Sequence, residues 1–170
     1  MIYLNIGSNL PLEEGGRESN ILKAISYLKK LNLYLIEISS FYQTPSYPNN
    51  SDPKFINLCV KLESNLKASE LINEIKNIEK KLGRVRLKKN EPRICDIDII
   101  DFNGEIINNG KLEVPHPRLH LRNFVIYPLK EIEPNWVHPL FNKKIDSFFQ
   151  ELDKNSHNEI TRLSKSDILN

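Results

Sequence analysis

The sequence contains few cysteines and no long apolar run, and both absences exclude classes of protein. Its 170 residues include two cysteines, Cys59 and Cys95, each set among apolar neighbours. Two such cysteines are typical of reduced, packed thiols rather than of a disulfide framework, so we expect a cytoplasmic protein. No apolar run approaches the roughly 20 residues that a membrane-spanning helix needs. The opening MIYLNIGSNL lacks the charged lead and long apolar core of a secretory signal, so we expect no membrane partner and no cleaved leader.

The chain also lacks a strong net charge. Lys and Arg total 24 against 22 Asp and Glu, which gives a formal net charge of +2. General nucleic-acid binders carry a larger positive surplus, so we expect no nucleic-acid partner, and any anion site must come from local clustering. With 39% hydrophobic residues, a chain of this length can bury one core, and we expect a single domain over residues 1–170. Nothing in the sequence fixes the oligomeric state, and a monomer is our expectation.

The order of strand-like and helix-like segments predicts the fold class. Runs rich in β-branched and aromatic residues predict strands at IYLNI, LYLIEISSFYQT, KFINLCVKLES and ICDIDIIDF. Helical spacing of apolar residues marks one segment from Arg17 to Leu31 and another in KASELINEIKNIEKKLG. The resulting order, β-α-β-β-α-β, predicts an α+β, ferredoxin-like antiparallel sheet with both helices on one face. NGEIINNGKLEV then predicts a hairpin with Asn-Gly turns, and the segment after about residue 142 a polar extension with one helix and a frayed tail.

The last predicted strand carries two acidic residues in an apolar run, EPRICDIDII. Asp96 and Asp98 are two residues apart and therefore point to one face, while Ile97 and Ile99 face the core. Neighbouring carboxylates repel each other unless a cation neutralises them, and oxygen ligands favour a hard ion such as Mg²⁺. An isolated D-x-D pair is more often a water-exposed feature of a sheet, so the neighbouring residues decide.

A basic segment, RVRLKKNEPR, comes immediately before the aspartates and contains Arg84, Arg86, Lys88, Lys89 and Arg93. A nucleoside polyphosphate needs both groups, because carboxylates hold Mg²⁺ and arginine forks neutralise phosphate oxygens. The sequence has neither a G-x-x-x-x-G-K-[ST] phosphate loop nor a kinase H-R-D, which disfavours a P-loop enzyme and a protein kinase. The pattern favours phosphoryl chemistry of another kind.

A second basic cluster lies in VPHPRLHLRNF and consists of His116, Arg118, His120 and Arg122. It could close over the same anion from the other side. A zinc site built from His116 and His120 is less favoured than a phosphate contact, because no cysteine is near.

Several segments, in this order and nearly in this spacing, resemble the 6-hydroxymethyl-7,8-dihydropterin pyrophosphokinases of folate biosynthesis. They are YLNIGSNL, SSFYQTPSY, FINLCVKLES, IEKKLGRVR and PRICDIDIIDFNGEIINNGKLEVPHPRLHLRNFVIYPL. The likeness covers about residues 1–140, and P-R-x-x-D-x-D-I-I followed by V-P-H-P-R is highly specific in combination.

The resemblance implies transfer of the pyrophosphoryl unit of ATP to the pterin hydroxymethyl group, with release of AMP. Asp96 and Asp98 would hold two Mg²⁺ ions and, with Arg84 and Arg93, would be the catalytic residues. The residues implied for the ATP site are Glu79, Arg84, Arg86, Arg93, Ile99, Lys111, His116 and Arg122. Those implied for the pterin pocket are Thr44, Pro45, Tyr47, Phe55, Asn57 and Phe124. Phe55 and Phe124 would lie on either side of the flat ring, and Asn57 would read its polar edge.

The chain departs from the family pattern ahead of the Pro-Arg pair. It has Asn90 and Glu91 where Gly or Ala is usual, and its loop from Arg86 to Arg93 is one residue shorter than in some relatives. Glu91 adds a negative charge near the phosphates, so we expect this loop to close over ATP differently and to be mobile without ligand.

Other functions fit parts of the pattern. An RNA-binding module on the same fold is disfavoured because aromatic RNP patterns are absent and the aspartates would repel a phosphate backbone. A different Mg²⁺-dependent transferase remains open from the aspartates and arginines alone, since they do not choose the acceptor. Without the resemblance, Phe55 would be ordinary core, Asn57 a satisfied strand residue and Thr44-Pro45 a strand terminator.

Overall fold

The computed structural model describes residues 1–11, 15–31, 33–47, 49–84, 91–110 and 112–164. The helices are α1 (Arg17–Lys29), α2 (Ala68–Lys81), α3 (Asn123–Ile132), α4 (Ile145–Glu151) and α5 (Lys154–Asn158), with a 3-10 turn at Leu119–Leu121. The long strands are β1 (Ile2–Ser8), β2 (Tyr34–Ile38), β3 (Tyr42–Thr44), β4 (Phe55–Glu63) and β5 (Asp96–Phe102). The two-residue strands are β6 (Ile107–Asn108), β7 (Glu113–Val114), β8 (Val137–His138), β9 (Lys143–Lys144) and β10 (Thr161–Arg162).

The main sheet is antiparallel and has the predicted ferredoxin-like order. β1 lies between β4 and β5, and the far side of β4 is shared by β2 and β3. The segment predicted as one strand is divided in two at Ser39. The Ser39 hydroxyl accepts a hydrogen bond from the Cys59 amide at 2.9 Å, and a serine that bonds the neighbouring backbone in this way interrupts regular pairing.

Two apolar cores cover the two faces of the sheet. On one face, Leu4 and Ile6 of β1 pack under α1 and α2, as the helical spacing predicts. On the other, Tyr3 and Cys59 pack against α3, α4 and Trp136. Helices were predicted on one face only, and α3 was missed because Pro128 lies inside it and a proline argues against a helix interior.

The segment after residue 142 is more ordered than predicted. It contains α4, whose Phe148 is buried, then α5 and finally β10, which pairs with β3 at the sheet edge. The polar sequence did not predict these elements, because α4 buries few side chains and β10 is held by polar contacts. The hairpin predicted in NGEIINNGKLEV is confirmed as β6 and β7.

Cys59 and Cys95 are both free and buried, in agreement with packed thiols. Among the described residues, no helix is long and apolar enough to cross a bilayer.

Candidate active site

Asp96 and Asp98 project from β5 to the face opposite α1 and α2. Ile97 lies between the two aspartates and Ile99 follows them. Both face the core under α1 and α2, where they are 3% and 4% exposed, which confirms the predicted division of faces. β5 is an edge strand of the sheet. Since the Ile99 side chain faces away from the aspartates, a contact of Ile99 with a nucleotide would have to use its backbone.

The end of α2 brings Arg84 next to Asp96. Gly83 adopts a left-handed φ of 85°, and the amides of Gly83 and Arg84 donate to the carbonyls of Lys80 and Glu79 at 3.0 Å each. This is the Schellman ending of a helix, for which glycine is favoured. It turns the chain so that the Arg84 guanidinium bonds Glu79 and lies 2.5 Å from Asp96 Oδ1.

Glu79 is a fixed part of this group. It is 3% exposed, and its Oε1 accepts a hydrogen bond from the Ile97 amide at 2.9 Å. Burial alone would lower the pKa of Arg84, but the negative charges of Asp96 and Glu79 outweigh burial and raise it. Arg84 is therefore a permanent cation anchored to the start of β5.

Asp96 has a second cationic partner in Arg93, whose Nη2 lies 2.8 Å from Asp96 Oδ2. The Arg93 guanidinium also lies over the ring of Phe55, 5.2 Å from its centroid. Arg122 repeats the pattern: its Nη1 is 3.4 Å from Asp98 Oδ2 and its guanidinium is 5.4 Å from the centroid of Phe124. Each of these arginines thus connects one aspartate with one aromatic ring.

Asp98 and His116 both contact Nη1 of Arg122. Burial, together with the charge of Asp96, raises the pKa of Asp98 to about 6, although Arg122 and Arg93 oppose the shift. Burial and the charge of Arg122 lower the pKa of His116 to about 4, so the imidazole is neutral at pH 7. His116 Nδ1 lies 3.1 Å from the Arg118 amide, and His116 Nε2 lies 3.3 Å from Arg122 Nη1. Both partners are donors, and a neutral imidazole has one acceptor nitrogen, so the ring accepts one of these two bonds at a time.

Gly7 makes room for Asn57 on the same sheet face. Gly7 pairs with Asn57 on one side and with Asp96 on the other, and directly paired antiparallel residues point to one face. Asn57 is 3% exposed, and its Oδ1 accepts a bond from Asn5 at 3.4 Å. The strand predicted at IYLNI ends at Ile6 and leaves Gly7 out, whereas β1 continues to Ser8. A glycine inside a strand run was the available signal, because it often marks a close approach.

The remaining residues implied for the pterin pocket lie along β3 and the loop after it. Thr44 is 4% exposed and pairs with Phe55 in the β3 to β4 ladder. Pro45 is half-buried, whereas the Tyr47 side chain is 78% exposed, so the structure does not bring Tyr47 into the group.

Some predicted residues lie outside the described ones or outside the group. Arg86, Lys88, Lys89, Asn90 and Lys111 are not among the described residues, and the predicted mobility of the Arg86 to Arg93 loop falls mostly there. His120 belongs to an aromatic cluster, with its ring centroid 5.2 Å from that of Phe141. In the described part of the chain, no three or more His, Cys, Asp or Glu side chains form a group that could hold a metal ion.

The acidic pair still suits one kind of ion. Mg²⁺ is commonly held by one or two carboxylates, with waters and substrate phosphates completing its shell. Asp96 and Asp98 supply oxygen donors on one face, and Arg84, Arg93 and Arg122 compete for them. The donor set therefore fits a magnesium ion that arrives with a polyphosphate.

The fold and this group define a class, an α+β enzyme domain of the phosphoryl-transfer type in which an acidic pair is surrounded by arginines. The family model described as 7,8-dihydro-6-hydroxymethylpterin-pyrophosphokinase matches residues 3–134. The chain belongs to that family, which confirms the resemblance.

Relatives support the assignment over most of the chain. The 2-amino-4-hydroxy-6-hydroxymethyldihydropteridine pyrophosphokinase of Aquifex aeolicus is 40% identical over 150 residues, covering 88% of this chain and 91% of that protein. The Haemophilus influenzae protein of the same name is 40% identical over 139 residues, covering 81% and 84%. The folic acid synthesis protein FOL1 of Dictyostelium discoideum is 41% identical over 140 residues, but this chain covers 20% of its length.

Solved structures agree on the fold. The wild-type HPPK-DHPS of Plasmodium falciparum superposes with a TM-score of 0.69 at 15% identity, over 95% of this chain and 47% of that one. An HPPK-DHPS in complex with substrates gives a TM-score of 0.66 at 16% identity, over 95% and 46%. This chain thus spans about half the length of both.

Proposed function

We propose that the protein transfers the pyrophosphoryl group of ATP to the hydroxymethyl group of 6-hydroxymethyl-7,8-dihydropterin, giving the pterin diphosphate and AMP in folate biosynthesis. Family membership over residues 3–134 supports the reaction. The observation that carries it is one group of side chains that combines an acidic pair, arginines and two aromatic rings. Its members are Asp96, Asp98, Arg84, Arg93, Arg122, Phe55 and Phe124.

The arginines are the proposed triphosphate contacts. Arg93 and Arg122 each have a planar fork of donors suited to phosphate oxygens, and Arg84 is held in place by Glu79. The neutral His116 contacts Arg122 Nη1 through Nε2 at 3.3 Å and helps to place that guanidinium. Phosphoryl transfer depends on positioning and charge neutralisation, so no protein nucleophile is required. The resemblance adds Arg86, Lys111 and the backbone of Ile99 to this set.

Asp96 and Asp98 are the proposed ligands of Mg²⁺, with two ions in the complete complex. When bound, magnesium would neutralise the triphosphate and lower the pKa of the attacking hydroxyl. The carboxylates would then bind magnesium in place of the arginine side chains, which would free the guanidinium of Arg93 to contact phosphate oxygens.

Phe55, Phe124 and Asn57 are the proposed pterin contacts, with Thr44, Pro45 and Tyr47 at the loop. The two phenyl rings offer apolar faces to a flat heterocycle, and the Asn57 amide offers polar atoms to its edge. In the transfer, the hydroxyl would release its proton to water and its oxygen would bond to the β-phosphorus, while the bond from that phosphorus to the α,β-bridging oxygen breaks, so AMP leaves.

The nucleotide product tests the proposal. The protein would be incubated with ATP, Mg²⁺ and the dihydropterin, and the nucleotides separated by chromatography. AMP should accumulate in equal amount with the pterin diphosphate and should need the pterin. Formation of ADP would assign the protein to another class of kinase, and absence of turnover would remove the proposal.

We also propose that the chain acts as a single-domain monomer. Its mass of 19.8 kDa gives a direct measurement by light scattering, in which a value near twice that mass would contradict the monomer. The free, buried cysteines support the cytoplasmic location, which stays a prediction.

A further inference from the structure

Asn5 is a buried polar residue in the middle of β1. It is 4% exposed and pairs directly with Cys59 of β4 on one side and with Asp98 of β5 on the other. Directly paired antiparallel residues point to one face of a sheet, so Asn5 lies on the face that carries the proposed site. Its chain neighbours Leu4 and Ile6 are fully buried on the opposite face, under α1 and α2. A carboxamide is therefore enclosed in the sheet beside the acidic pair.

Among the described residues, the Asn5 side chain makes a single hydrogen bond, in which its Nδ2 donates to Asn57 Oδ1 at 3.4 Å. Its own Oδ1 is buried and has no hydrogen-bond partner in that part of the chain. A buried acceptor without a partner is unfavourable, and asparagine is depleted in strands. Packing and strand formation alone would favour an apolar residue at this position. The contact with Asn57 is thus the feature that requires an asparagine.

This contact sets the orientation of the Asn57 amide. A carboxamide accepts at its oxygen and donates at its nitrogen. Because Asn5 offers Nδ2, Asn57 turns its Oδ1 towards β1, where the same oxygen lies over Gly7 in the space that a side chain would fill. The Nδ2 of Asn57 is at the other end of the amide and bonds none of the described residues. Asn57, which is 3% exposed, therefore offers a hydrogen-bond donor to a ligand on this face.

A donor at this position distinguishes between two kinds of pteridine ring. The proposed substrate carries an acceptor, the 4-oxo group, on its polar edge, whereas a 4-aminopteridine has a donor there. A site built to hydrogen-bond one group rejects an analogue that leaves the site's polar atom unpaired. If the Asn57 amide were free to turn, its Oδ1 would accept from the 4-amino group and the difference between the rings would be lost.

We propose that Asn5 is a positioning residue that holds the Asn57 donor towards the 4-oxo group, so that the pocket selects a 4-oxo ring over a 4-amino ring. The inference rests on the proposed function. Asn5 acts through Asn57 and needs no contact of its own with the ligand. A residue required only for packing would stabilise the fold without affecting the choice of ring.

Three variants test the two amides. Asn5→Leu has nearly the shape of asparagine and removes the donor, so that the Asn57 amide can turn. Asn5→Ala adds no bulk and repeats the test if leucine disturbs the sheet. Asn57→Asp keeps an oxygen for Asn5 and replaces the proposed donor with a second oxygen. Tyr3→Phe is the matched control, because Tyr3 lies on the same strand and face, is 5% exposed, and bonds Glu133 at 2.9 Å outside the proposed site.

The measurement is the ratio of two dissociation constants. 6-Hydroxymethylpterin and 2,4-diamino-6-hydroxymethylpteridine are titrated separately, in a calorimeter, into protein saturated with Mg²⁺ and α,β-methylene ATP, whose bridging carbon blocks the transfer. The wild type should bind the 4-oxo ring about tenfold or more tighter. Asn5→Leu and Asn5→Ala should reduce this preference to less than about threefold, and Asn57→Asp should bind the 4-amino ring tighter. Tyr3→Phe should lower the unfolding temperature and keep the wild-type ratio.

The other outcomes overturn the proposal. If both Asn5 variants keep the wild-type ratio while Asn57→Asp reverses it, Asn57 selects the ring without Asn5, and Asn5 has only a structural role. A ratio near 1 in the wild type also removes the inference, and if that protein still forms AMP from ATP and the dihydropterin, the proposed function stands. If the wild type neither binds the pterin nor forms AMP, the proposed function itself fails, and this inference fails with it.

Discussion

A Cβ atom added to Gly7 would lie 2.4 Å from the side-chain oxygen of Asn57. The backbone of Gly7 is not left-handed, so alanine is conformationally allowed there, and the conflict concerns the Asn57 amide alone. Because that amide is the far end of a side chain, it can shift at small cost to folding. We therefore predict that Gly7→Ala lowers the free energy of unfolding by no more than about 1 kcal/mol but weakens pterin binding about tenfold or more, since displaced contacts are costly in a site.

The comparison for Gly7→Ala is Asn57→Ala. If Gly7 acts by placing Asn57, the double variant should bind pterin about as weakly as Asn57→Ala alone, which is the non-additivity expected for contacting residues. Fully additive losses in calorimetry, or an equal loss of ATP affinity, would contradict this explanation.

Local pattern was enough to predict the central fold and the acidic pair. Alternation in β5 gives the face of Asp96 and Asp98, and helical spacing gives the buried stripe of α1, because both depend on near neighbours in sequence. The contact between Arg93 and Phe55 joins residues 38 positions apart, and the contact between Arg122 and Phe124 lies at the start of α3, a helix that the sequence hides because it contains Pro128. No spacing rule predicts such contacts.

The same limit applies to the residues that were missed. Gly7 and Asn9 lie in GSN, whose composition predicts a turn equally well whether or not anything packs against it. Their importance comes from their contacts with Asn57, Ser46 and Arg93, which the sheet order brings to the end of β1. Only the tertiary arrangement distinguishes a turn asparagine from one with partners in two distant segments.

Replacement by asparagine should change the stability of the fold in opposite directions at two aspartates of β5. Asp98 carries a carboxylate whose charge is disfavoured by burial and by Asp96. Asp98→Asn should therefore keep or raise the unfolding temperature at pH 8 while turnover falls about 100-fold or more, given the several kcal/mol that metal-assisted charge stabilisation supplies.

Asp101 is the control on the same strand. It is 4% exposed and accepts bonds of 2.8 Å from the Trp136 indole and from the Gly104 amide. Asp101→Asn cannot accept both bonds, and we expect a loss of about 1 to 3 kcal/mol in unfolding free energy with near-normal turnover. Loss of stability in Asp98→Asn would instead assign that residue a structural role.

Glu131 of α3 connects the C-terminal strand β10 with the chain between β2 and β3. Its carboxylate accepts bonds from the Ser40 amide at 3.0 Å, the Tyr42 hydroxyl at 2.9 Å and Arg162 at 2.7 Å. Glu131→Ala leaves several groups unpaired and should cost about 1 to 3 kcal/mol. Arg162→Ala removes a partner that is 63% exposed and should cost less than about 1 kcal/mol. Urea unfolding of both variants measures the difference, and equal losses would contradict this ranking.

His138 should make the stability of the fold depend on pH. Its ring is 3% exposed and packs 4.4 Å from the Phe141 ring, centroid to centroid, and its Nδ1 accepts from the Leu140 amide at 3.2 Å. Burial, and then the neighbouring His120, lower its pKa to about 4, against about 6.5 in an unfolded chain. Between these values the unfolded state binds more protons than the native state. His138 therefore opposes folding increasingly as the pH falls from about 6.5 to 4, and has no such effect above that range.

His138→Asn tests this because the Asn oxygen can accept the Leu140 amide bond and cannot be protonated. The variant should be less stable than the wild type at pH 7.5, where it loses ring packing, yet its unfolding free energy should fall less between pH 7 and pH 5. Denaturant unfolding at each pH measures the slope, and NMR titration of the His138 ring protons gives the midpoint directly. A midpoint near 6.5, or identical slopes for the two proteins, would mean that the native fold accepts the protonated ring, in which case acid sensitivity must come from other groups.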